Sequence, residues 1–479
     1  MNHRMVAYLS GVIILIEAVF LALPALVSLL YGEASGIWFF VTMAVAGAVG
    51  GALLLLRPKK RDMYAKEGFV VTALGWILIS LIGAIPFRLS GQIPSYLDAV
   101  FETVSGFTTT GASILMDVEA LDHGMLFWRS FTHWLGGMGI LVFMLAVMNM
   151  GNGQSNHLLR AESPGPSVSK MVPNMRRSAA ILYGIYIAMT LTQIVLMLFG
   201  GMPLFDSLCT AFGTAGTGGF GVRSDSIAGY SRYLQTVIAV FMVLFGINFN
   251  IYFFLLMKKF SMAFRNTEVR VYLAIVLVTT VIISFNILPM MSGVYDAFHH
   301  AFFTVSSVMT TTGFATVDFD LWPELSRVLL VLLMIVGACA GSTGGGVKVS
   351  RIVMIFKSAA FEVRKLLHPG SVKVLMIDGK RIDRETIQGV HSYMTVYFAI
   401  TVLSILLVSL DDLDLITTVT AVEATLNNIG PGLGLVGPTS NFALMSPLSK
   451  VVLTADMLLG RLELFPLLIL FMPSTWRKN

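Results

Sequence analysis

Two stretches of the sequence, AVFETVSGFTTTG from Ala99 to Gly111 and AFFTVSSVMTTTG from Ala301 to Gly313, share the pattern that decides the fold. In both, a short apolar segment runs directly into Thr-Thr-Thr-Gly. The apolar segment is too short to cross a bilayer, which requires about 20 helical residues. Each stretch therefore predicts a short helix that enters the membrane and then turns into an irregular loop.

Two looser copies of this pattern lie elsewhere in the chain. One runs from Asp206 to Gly219 and leads into Phe220, and the other ends in Asn-Asn-Ile-Gly-Pro-Gly at residues 427–432. The four copies recur about every 100 residues, which indicates an internal repeat. Irregular backbone at membrane depth is tolerated where it lines a water-filled cavity, so four copies in register predict a pore. The alternative is that these threonines and glycines only pack helices or cap short helices.

The composition is typical of a membrane protein. Of the 479 residues, 56% are hydrophobic and 12% are charged, whereas a soluble domain has about 25% charged residues. The first apolar run could be a signal peptide, but its length and Glu17 favour a retained span. Apolar runs of about 20 residues predict ten membrane spans, at about 6–30, 36–56, 68–90, 126–150, 178–200, 233–257, 271–291, 325–357, 390–410 and 448–472.

The positively charged residues predict the orientation. Of the 32 Lys and Arg residues, 25 lie in segments on the same side as the N-terminus, six lie on the opposite side, and Arg461 lies inside the last span. The positive-inside rule therefore places both termini in the cytoplasm, and it explains the basic excess without a nucleic-acid partner. Cys209 and Cys339 offer neither a disulfide framework nor metal-ligand spacing. The sequence contains no constellation of catalytic residues, so we do not expect an enzyme.

The residue types in the four copies point to potassium. A dehydrated potassium ion needs weak oxygen dipoles, which backbone carbonyls on an extended strand supply. Glycine allows the strand to turn its carbonyls inward, and threonine hydroxyls can add further ligands. Acidic residues would favour divalent cations, and the threonine- and glycine-rich ends of the four copies contain none. We therefore expect a selectivity filter for potassium.

With these features the chain resembles the TrkH/TrkG-like transmembrane subunit of the bacterial Trk potassium-uptake system, within the Trk/Ktr/HKT superfamily. The resemblance covers nearly the whole chain. It implies an all-α polytopic membrane protein with ten transmembrane helices and four re-entrant pore half-helices, arranged as four pseudo-symmetric helix–pore loop–helix repeats around one pore. An N-terminal helix pair, which Ktr subunits generally lack, precedes the repeats. The expected division is an N-terminal two-helix domain and four pore repeats, the third with a broken second helix, at 1–60, 61–155, 156–262, 263–370 and 371–479.

The resemblance also implies which residues bind the ion. Gly216 and Gly218 are alternatives to Gly219 for the second filter glycine, and Phe220 favours Gly219 because the family places an aromatic residue directly after this glycine. Glycine rather than serine at 111 is similar to the potassium-selective members and unlike the sodium-preferring plant type. The residues expected to bind potassium are Thr109, Thr110, Gly111, Thr217, Gly218, Gly219, Thr311, Thr312, Gly313, Asn428, Ile429 and Gly430.

A glycine-rich segment interrupts the apolar span predicted over 325–357. Lys348 after it suggests a phosphate-binding loop, but Val347 separates the lysine from the last glycine, so nucleotide binding is not expected. The resemblance implies instead an intramembrane loop below the filter that obstructs the pore when closed. This loop consists of Gly341, Ser342, Thr343, Gly344, Gly345 and Gly346.

Arg461 lies at the centre of an apolar run, where a charged residue costs about 2.5–3.5 kcal/mol to insert. A salt bridge with Glu463 or Asp456 is one interpretation, although residues 461 and 463 point to different faces of a helix. The arginine also matches the family's residue in the cavity below the filter. Its charge would repel cations there, and we expect it to act with the loop as a gate.

Other polar residues are expected to be structural. Glu102 and Glu423 would accept hydrogen bonds from backbone amides behind the filters. His299 and His300 would cap the third pore helix at the membrane interface.

The resemblance further implies a homodimer in the bacterial inner membrane and a cytoplasmic regulatory subunit of the nucleotide-binding RCK type (TrkA-like). The basic segment from Lys357 to Arg384 offers a docking surface for that subunit or for anionic membrane lipid. Potassium is the transported ion, and no organic cofactor is expected. The alternatives are a sodium-dependent Ktr-like transporter or a weakly selective monovalent cation channel, an alternating-access carrier, and an interaction scaffold with an inactive pore.

Overall fold

A computed structural model describes residues 1–58, 64–139, 175–368 and 375–476, and these residues are mainly helical. Six helices within these ranges are long and apolar enough to cross a membrane. They are His3–Tyr31, Gly36–Leu54, Ala65–Leu89, Arg177–Phe199, Thr267–Met290 and Arg384–Asp411.

Shorter helices and one hairpin lie between these spans. Up to residue 139, the helices are His3–Phe20, Ala22–Tyr31, Gly36–Leu54, Ala65–Gly83, Ile85–Leu89, Tyr96–Phe107 and His123–Met138. From 175 to 368, they are Met175–Phe199, Leu204–Gly216, Arg232–Phe245, Phe249–Leu256, Phe260–Phe264, Thr267–Ile287, Val294–Met309, Glu324–Val336 and Val349–Leu367. A two-stranded antiparallel hairpin pairs Met376–Ile377 with Lys380–Arg381. The last helices are Arg384–Val408, Leu415–Leu426, Pro447–Arg461, Phe465–Phe471 and Pro473–Trp476.

Four short helices lie at the positions expected for the pore half-helices, and we call them the first to fourth pore helices. Ser95 caps the first by accepting a hydrogen bond from the amide of Asp98 (3.3 Å), and Asp414 caps the fourth in the same way. Their C-terminal halves are buried, so the segments that follow them lie inside the protein. The four pore helices are Tyr96–Phe107, Leu204–Gly216, Val294–Met309 and Leu415–Leu426.

The helix predicted over 233–257 is instead bent by 91° after Phe245. At the bend, the carbonyl oxygen of Gly246 accepts a hydrogen bond from the amide of Cys339 (3.1 Å). The first amide of the next helix donates to the carbonyl oxygen of Gly341 (2.9 Å). Contacts with a distant segment thus take the place of bonds within the helix, and the local apolar run gives no indication of them.

The span predicted over 325–357 is interrupted more widely than the sequence suggests. Its first helix ends at Val336 and its second begins at Val349, so the break extends beyond residues 341–346 on both sides. Gly337 ends the first helix with a φ of 70°, which favours glycine.

The last predicted span, 448–472, is also broken. One helix ends at Arg461 and the next begins at Phe465. Between them, Glu463 and Leu464 have φ values of 55° and 67°, a region that residues with a side chain rarely adopt. Arg461 therefore ends one helix, and Glu463 lies in the turn that follows it.

Small residues allow the N-terminal helices to approach closely. A Cβ atom on Gly11 would lie 2.8 Å from Cβ of Leu53 and 2.9 Å from the carbonyl oxygen of Gly50. The division into a separate N-terminal domain and four repeats stays a prediction. Its boundaries after residues 60, 155 and 370, and the later part of the predicted span 126–150, lie outside the described residues.

Candidate functional site

The four pore helices end in the same backbone conformation. In each, the filter glycine and the residue two positions before it have positive φ. In the second segment this places Gly219, and not Gly216 or Gly218, at the position equivalent to the other filter glycines. The φ values are 56° and 82° at Thr109 and Gly111, 56° and 76° at Thr217 and Gly219, 58° and 86° at Thr311 and Gly313, and 55° and 98° at Asn428 and Gly430.

The hydrogen bonds at these helix ends also repeat. In the first segment, the amide of Thr109 donates to the carbonyl of Gly106 (3.1 Å), and the amide of Thr110 donates to that of Ser105 (2.9 Å). The other three segments have the same two bonds at the same spacing. This is a Schellman helix end, in which the left-handed residue is usually glycine. Three of the four segments have threonine at that residue, where it costs about 1–2 kcal/mol, and the fourth has asparagine.

The four filter glycines approach one another in chain order and close a ring. The neighbour of each is the carbonyl of the residue just before the next filter glycine. A Cβ atom would therefore collide with backbone at every one of the four positions, which requires glycine there. A Cβ atom added to each glycine would lie very close to the carbonyl oxygen of its neighbour. These distances are 2.0 Å from Gly111 to Gly218, 1.9 Å from Gly219 to Thr312, 2.2 Å from Gly313 to Ile429 and 2.7 Å from Gly430 to Thr110.

This ring gathers backbone oxygens and no carboxylates. Thr110, Gly218, Thr312 and Ile429 supply its carbonyl oxygens. Among the described residues, no group of three or more His, Cys, Asp or Glu side chains is arranged to hold a metal ion. Such a ring of carbonyl dipoles can replace the hydration shell of a monovalent cation.

Glu102 supports the first segment as expected, and its charged partner is Arg129, which was not predicted. One oxygen of the buried Glu102 carboxylate accepts a hydrogen bond from the amide of Ile114 (2.9 Å), and the other accepts from Nε of Arg129 (2.6 Å). The Arg129 side chain, 3% exposed, also donates to the carbonyl of Gly221 beyond the second filter (3.0 Å). The buried pair therefore ties the first two filter segments together.

His133, which was not predicted either, connects the same two segments. Its Nδ1 lies 2.7 Å from the carbonyl oxygen of Gly106, and its Nε2 accepts a hydrogen bond from the amide of Phe220 (3.2 Å). These partners require a neutral ring with the proton on Nδ1. Arg129 and His133 lie one turn apart on one helix face, and a polar pair at this spacing in an apolar helix was the one signal that could have found them.

Two other expectations for polar residues are corrected. Glu423 does not bond backbone amides behind the fourth filter, since it accepts from the hydroxyl of Tyr397 (3.0 Å) and from the amide group of Asn427 (2.8 Å). His299 is not an interfacial cap, because it is buried and its Nε2 lies 2.7 Å from the side-chain oxygen of Gln235.

Asp414 is the charged residue that caps the N-terminus of the fourth pore helix. It is exposed, and hydrogen bonds from Thr417 hold the pKa of Asp414 below its ordinary value. The carboxylate is therefore charged at neutral pH, and its negative charge stabilises the N-terminus of the helix.

The segment 341–346 lies against the ends of the third and fourth pore helices. The amide of Gly345 donates to the hydroxyl of Thr311 (2.6 Å), and the amide of Gly346 donates to the carbonyl of Asn427 (3.0 Å). The buried Lys348 donates from Nζ to the carbonyl of Gly344. The structure thus brings this loop into contact with two of the four filter segments.

Arg461 lies beside the same loop. Its guanidinium donates to the carbonyls of Thr343 (3.0 Å) and Gly137 (2.8 Å). The carboxylates weighed as its salt-bridge partners have other neighbours. Glu463 lies 2.5 Å from Arg351, and Asp456 accepts from the hydroxyl of Ser404 (2.8 Å).

Curated relatives match the chain along its whole length. The Trk system potassium uptake protein TrkH of Salmonella typhimurium is 36% identical over 488 residues, with 100% of both chains covered. TrkG of Escherichia coli K12 is 32% identical with 99% of each chain covered, and TrkI of Halomonas elongata is 31% identical with 98% of this chain and 96% of the relative covered.

A solved structure and a family model match the chain as well. The crystal structure of the potassium transporter TrkH from Vibrio parahaemolyticus matches with a TM-score of 0.89, at 31% identity and with 100% of both chains covered. The apolar helices and these relatives identify a multi-pass membrane protein, and the expected family resemblance is confirmed. A sequence model of the TrkH family, described as "Cation transport protein", matches residues 36–478. The chain therefore belongs to the TrkH family, a family of cation transporters and not of enzymes.

Proposed function

We propose that this protein takes up potassium across the bacterial inner membrane through a pore whose selectivity filter is the ring of filter glycines. The observation that carries the proposal is the closure of that ring in chain order, because it brings one backbone carbonyl from each of the four segments into the same ring. The relatives named as potassium uptake proteins support the choice of ion. The ion binds at the carbonyls and hydroxyls of Thr109, Thr110, Gly111, Thr217, Gly218, Gly219, Thr311, Thr312, Gly313, Asn428, Ile429 and Gly430.

The gate in this proposal is the loop Gly341–Gly346 together with Arg461. The hydrogen bonds of Gly345 to Thr311 and of Arg461 to Thr343 support it, since they hold the loop and a positive charge beside the filter segments. A positive charge at this place raises the barrier for an entering cation.

The cellular setting belongs to the same proposal. Ten spans with both termini in the cytoplasm follow from the apolar runs and the distribution of Lys and Arg. The name "Trk system", which the relatives carry, supports a second component. We propose that this component is a cytoplasmic regulatory subunit of the RCK type and that the chain forms a homodimer.

Rubidium uptake into vesicles reconstituted with the purified protein tests the function. We expect uptake that potassium suppresses strongly and sodium suppresses weakly, with and without sodium in the external buffer. Uptake that requires sodium would identify the Ktr-like alternative. Equal suppression by both ions would identify a weakly selective channel, and no uptake beyond protein-free vesicles would refute the proposal.

A further inference from the structure

A single glutamate contacts both ends of the intramembrane loop. Oε1 of Glu268 accepts a hydrogen bond from the amide of Ala340 (2.6 Å) and a second from the amide of Ser350 (3.1 Å). These amides lie on either side of Gly341–Gly346, so one carboxylate oxygen joins the residues that flank the loop. Ser350 also belongs to the first turn of the helix after the loop, where a negative charge is favourable.

The residue before Glu268 connects to a different part of the protein. The amide and the hydroxyl of Thr267 both donate to Oδ1 of Asp378, at 2.8 Å and 2.5 Å. Thr267 and Glu268 are the first two residues of the helix Thr267–Ile287, and Asn266 caps that helix through the amide of Val269. The capped turn therefore holds Asp378 on one side and the loop on the other.

Asp378 lies at the tip of the hairpin Met376–Arg381. Asp378 and Gly379 have φ values of 51° and 74°, as expected for the two central residues of a tight hairpin turn. The hairpin is also bonded to the helix after the loop, because Nζ of Lys357 donates to the carbonyl of Met376 (3.2 Å). The tip is exposed, and it belongs to the basic segment Lys357–Arg384.

We propose that Glu268 is a positioning residue that holds the loop against the filter, and that the hairpin Met376–Arg381 sets its position through Asp378 and Thr267. The inference rests on the proposed gate. A cytoplasmic partner that draws the hairpin away shifts the first turn of the helix Thr267–Ile287, and the loop loses the acceptor that joins its two ends. The loop then leaves the filter without any direct contact between partner and pore.

Substitutions of Glu268 test this with two measurements on the full-length protein. Glu268→Ala removes the acceptor, and Glu268→Gln keeps an oxygen that can accept from both amides. Glu362→Ala is the matched control, because Glu362 is an exposed carboxylate that pairs only loosely with Lys365 of its own helix (4.0 Å). We expect several-fold faster partner-free rubidium uptake for Glu268→Ala, uptake near wild type for Glu268→Gln, and no change for Glu362→Ala.

Hydrogen exchange separates this inference from the proposed function. We expect the amides of Ala340 and Ser350 to lose protection in Glu268→Ala and, to a smaller degree, in Asp378→Ala, while both keep protection in Glu268→Gln. Unchanged protection in Glu268→Ala would overturn the inference whether or not the protein conducts. Lost protection without faster uptake, in a protein whose wild type takes up rubidium, would also overturn it. A wild type that takes up no rubidium would instead refute the proposed function, and the exchange data would still decide the role of Glu268.

Discussion

Gly111 and Gly201 have the same backbone conformation but different surroundings. Both have a φ of 82°, so a side chain strains the backbone equally at the two positions. A Cβ atom on Gly111 would lie 2.0 Å from the carbonyl oxygen of Gly218, whereas nothing lies within 4 Å of one on Gly201. The surroundings, and not the conformation, distinguish the two residues.

Gly111→Ser is therefore expected to weaken potassium selectivity, and Gly201→Ser is its control. The serine Cβ must displace the Gly218 carbonyl, which enlarges or distorts the ring and admits sodium. Competing rubidium and sodium fluxes measured on equal amounts of folded protein check this. An unchanged sodium-to-rubidium ratio in Gly111→Ser would remove Gly111 from the filter.

Arg461→Ala is expected to raise rubidium flux several-fold, because it removes a positive charge beside the proposed ion path. At about 5 Å and an effective dielectric of about 20, two unit charges repel by roughly 3 kcal/mol, which water in the cavity reduces. Arg461→Lys keeps the charge and should stay near wild type. Slower uptake per folded molecule in Arg461→Ala would show that the charge assists conduction.

At the scale of elements, the sequence predicts what is local and repeated. The pore helices and the break near 341–346 were predictable, because each depends on a short apolar run beside glycines. The bend after Phe245 was not, since its hydrogen bonds come from Cys339 and Gly341. The contacts of Arg129 and His133 were not predictable for the same reason, because their partners belong to other parts of the chain, although the spacing of the two residues on one helix face was readable. The Asp-Gly pair at the hairpin tip is a readable turn pattern, and the hairpin was nevertheless not predicted.

The loop as an element gives a third prediction, that Gly345→Ala raises uptake in the absence of the regulatory subunit. A Cβ atom on Gly345 would lie 2.3 Å from the carbonyl oxygen of Asn427. That carbonyl belongs to the end of a pore helix, so the loop is the part that moves. Gly51→Ala is the control, because nothing lies within 4 Å of its Cβ position. Uptake that stays dependent on the regulatory subunit in Gly345→Ala would indicate a kinked helix and not a gate.

At the scale of the whole molecule, polar contacts join each filter region to the next and the last to the first. Between the first and second filter regions, Nη1 of Arg129 donates a hydrogen bond to the carbonyl of Gly221. Between the second and third, the amide of Ile227 donates to the carbonyl of Ala315 (3.1 Å). The hydroxyl of Thr439 donates to Asp318 (3.2 Å) between the third and fourth, and the amide group of Asn428 donates to the hydroxyl of Thr110 (2.9 Å) between the fourth and first. A closed set of contacts resists widening of the ring more than any one repeat could.

The buried pair Glu102–Arg129 is the part of this set whose loss is expected to cost most stability. Arg129→Met leaves an unpaired carboxylate that is 0% exposed, which costs about 3–5 kcal/mol. Arg223→Met is the control on an exposed pair with Asp225 (3.4 Å, both side chains more than 40% exposed), where the loss is about 0–1 kcal/mol. The double variant Glu102→Gln with Arg129→Met removes both charges, so it should be more stable than Arg129→Met alone. Thermal unfolding of the purified wild type and variants in one detergent measures these differences. If Arg129→Met unfolded at the same temperature as Arg223→Met, the pair would not be what holds the first two filter segments together.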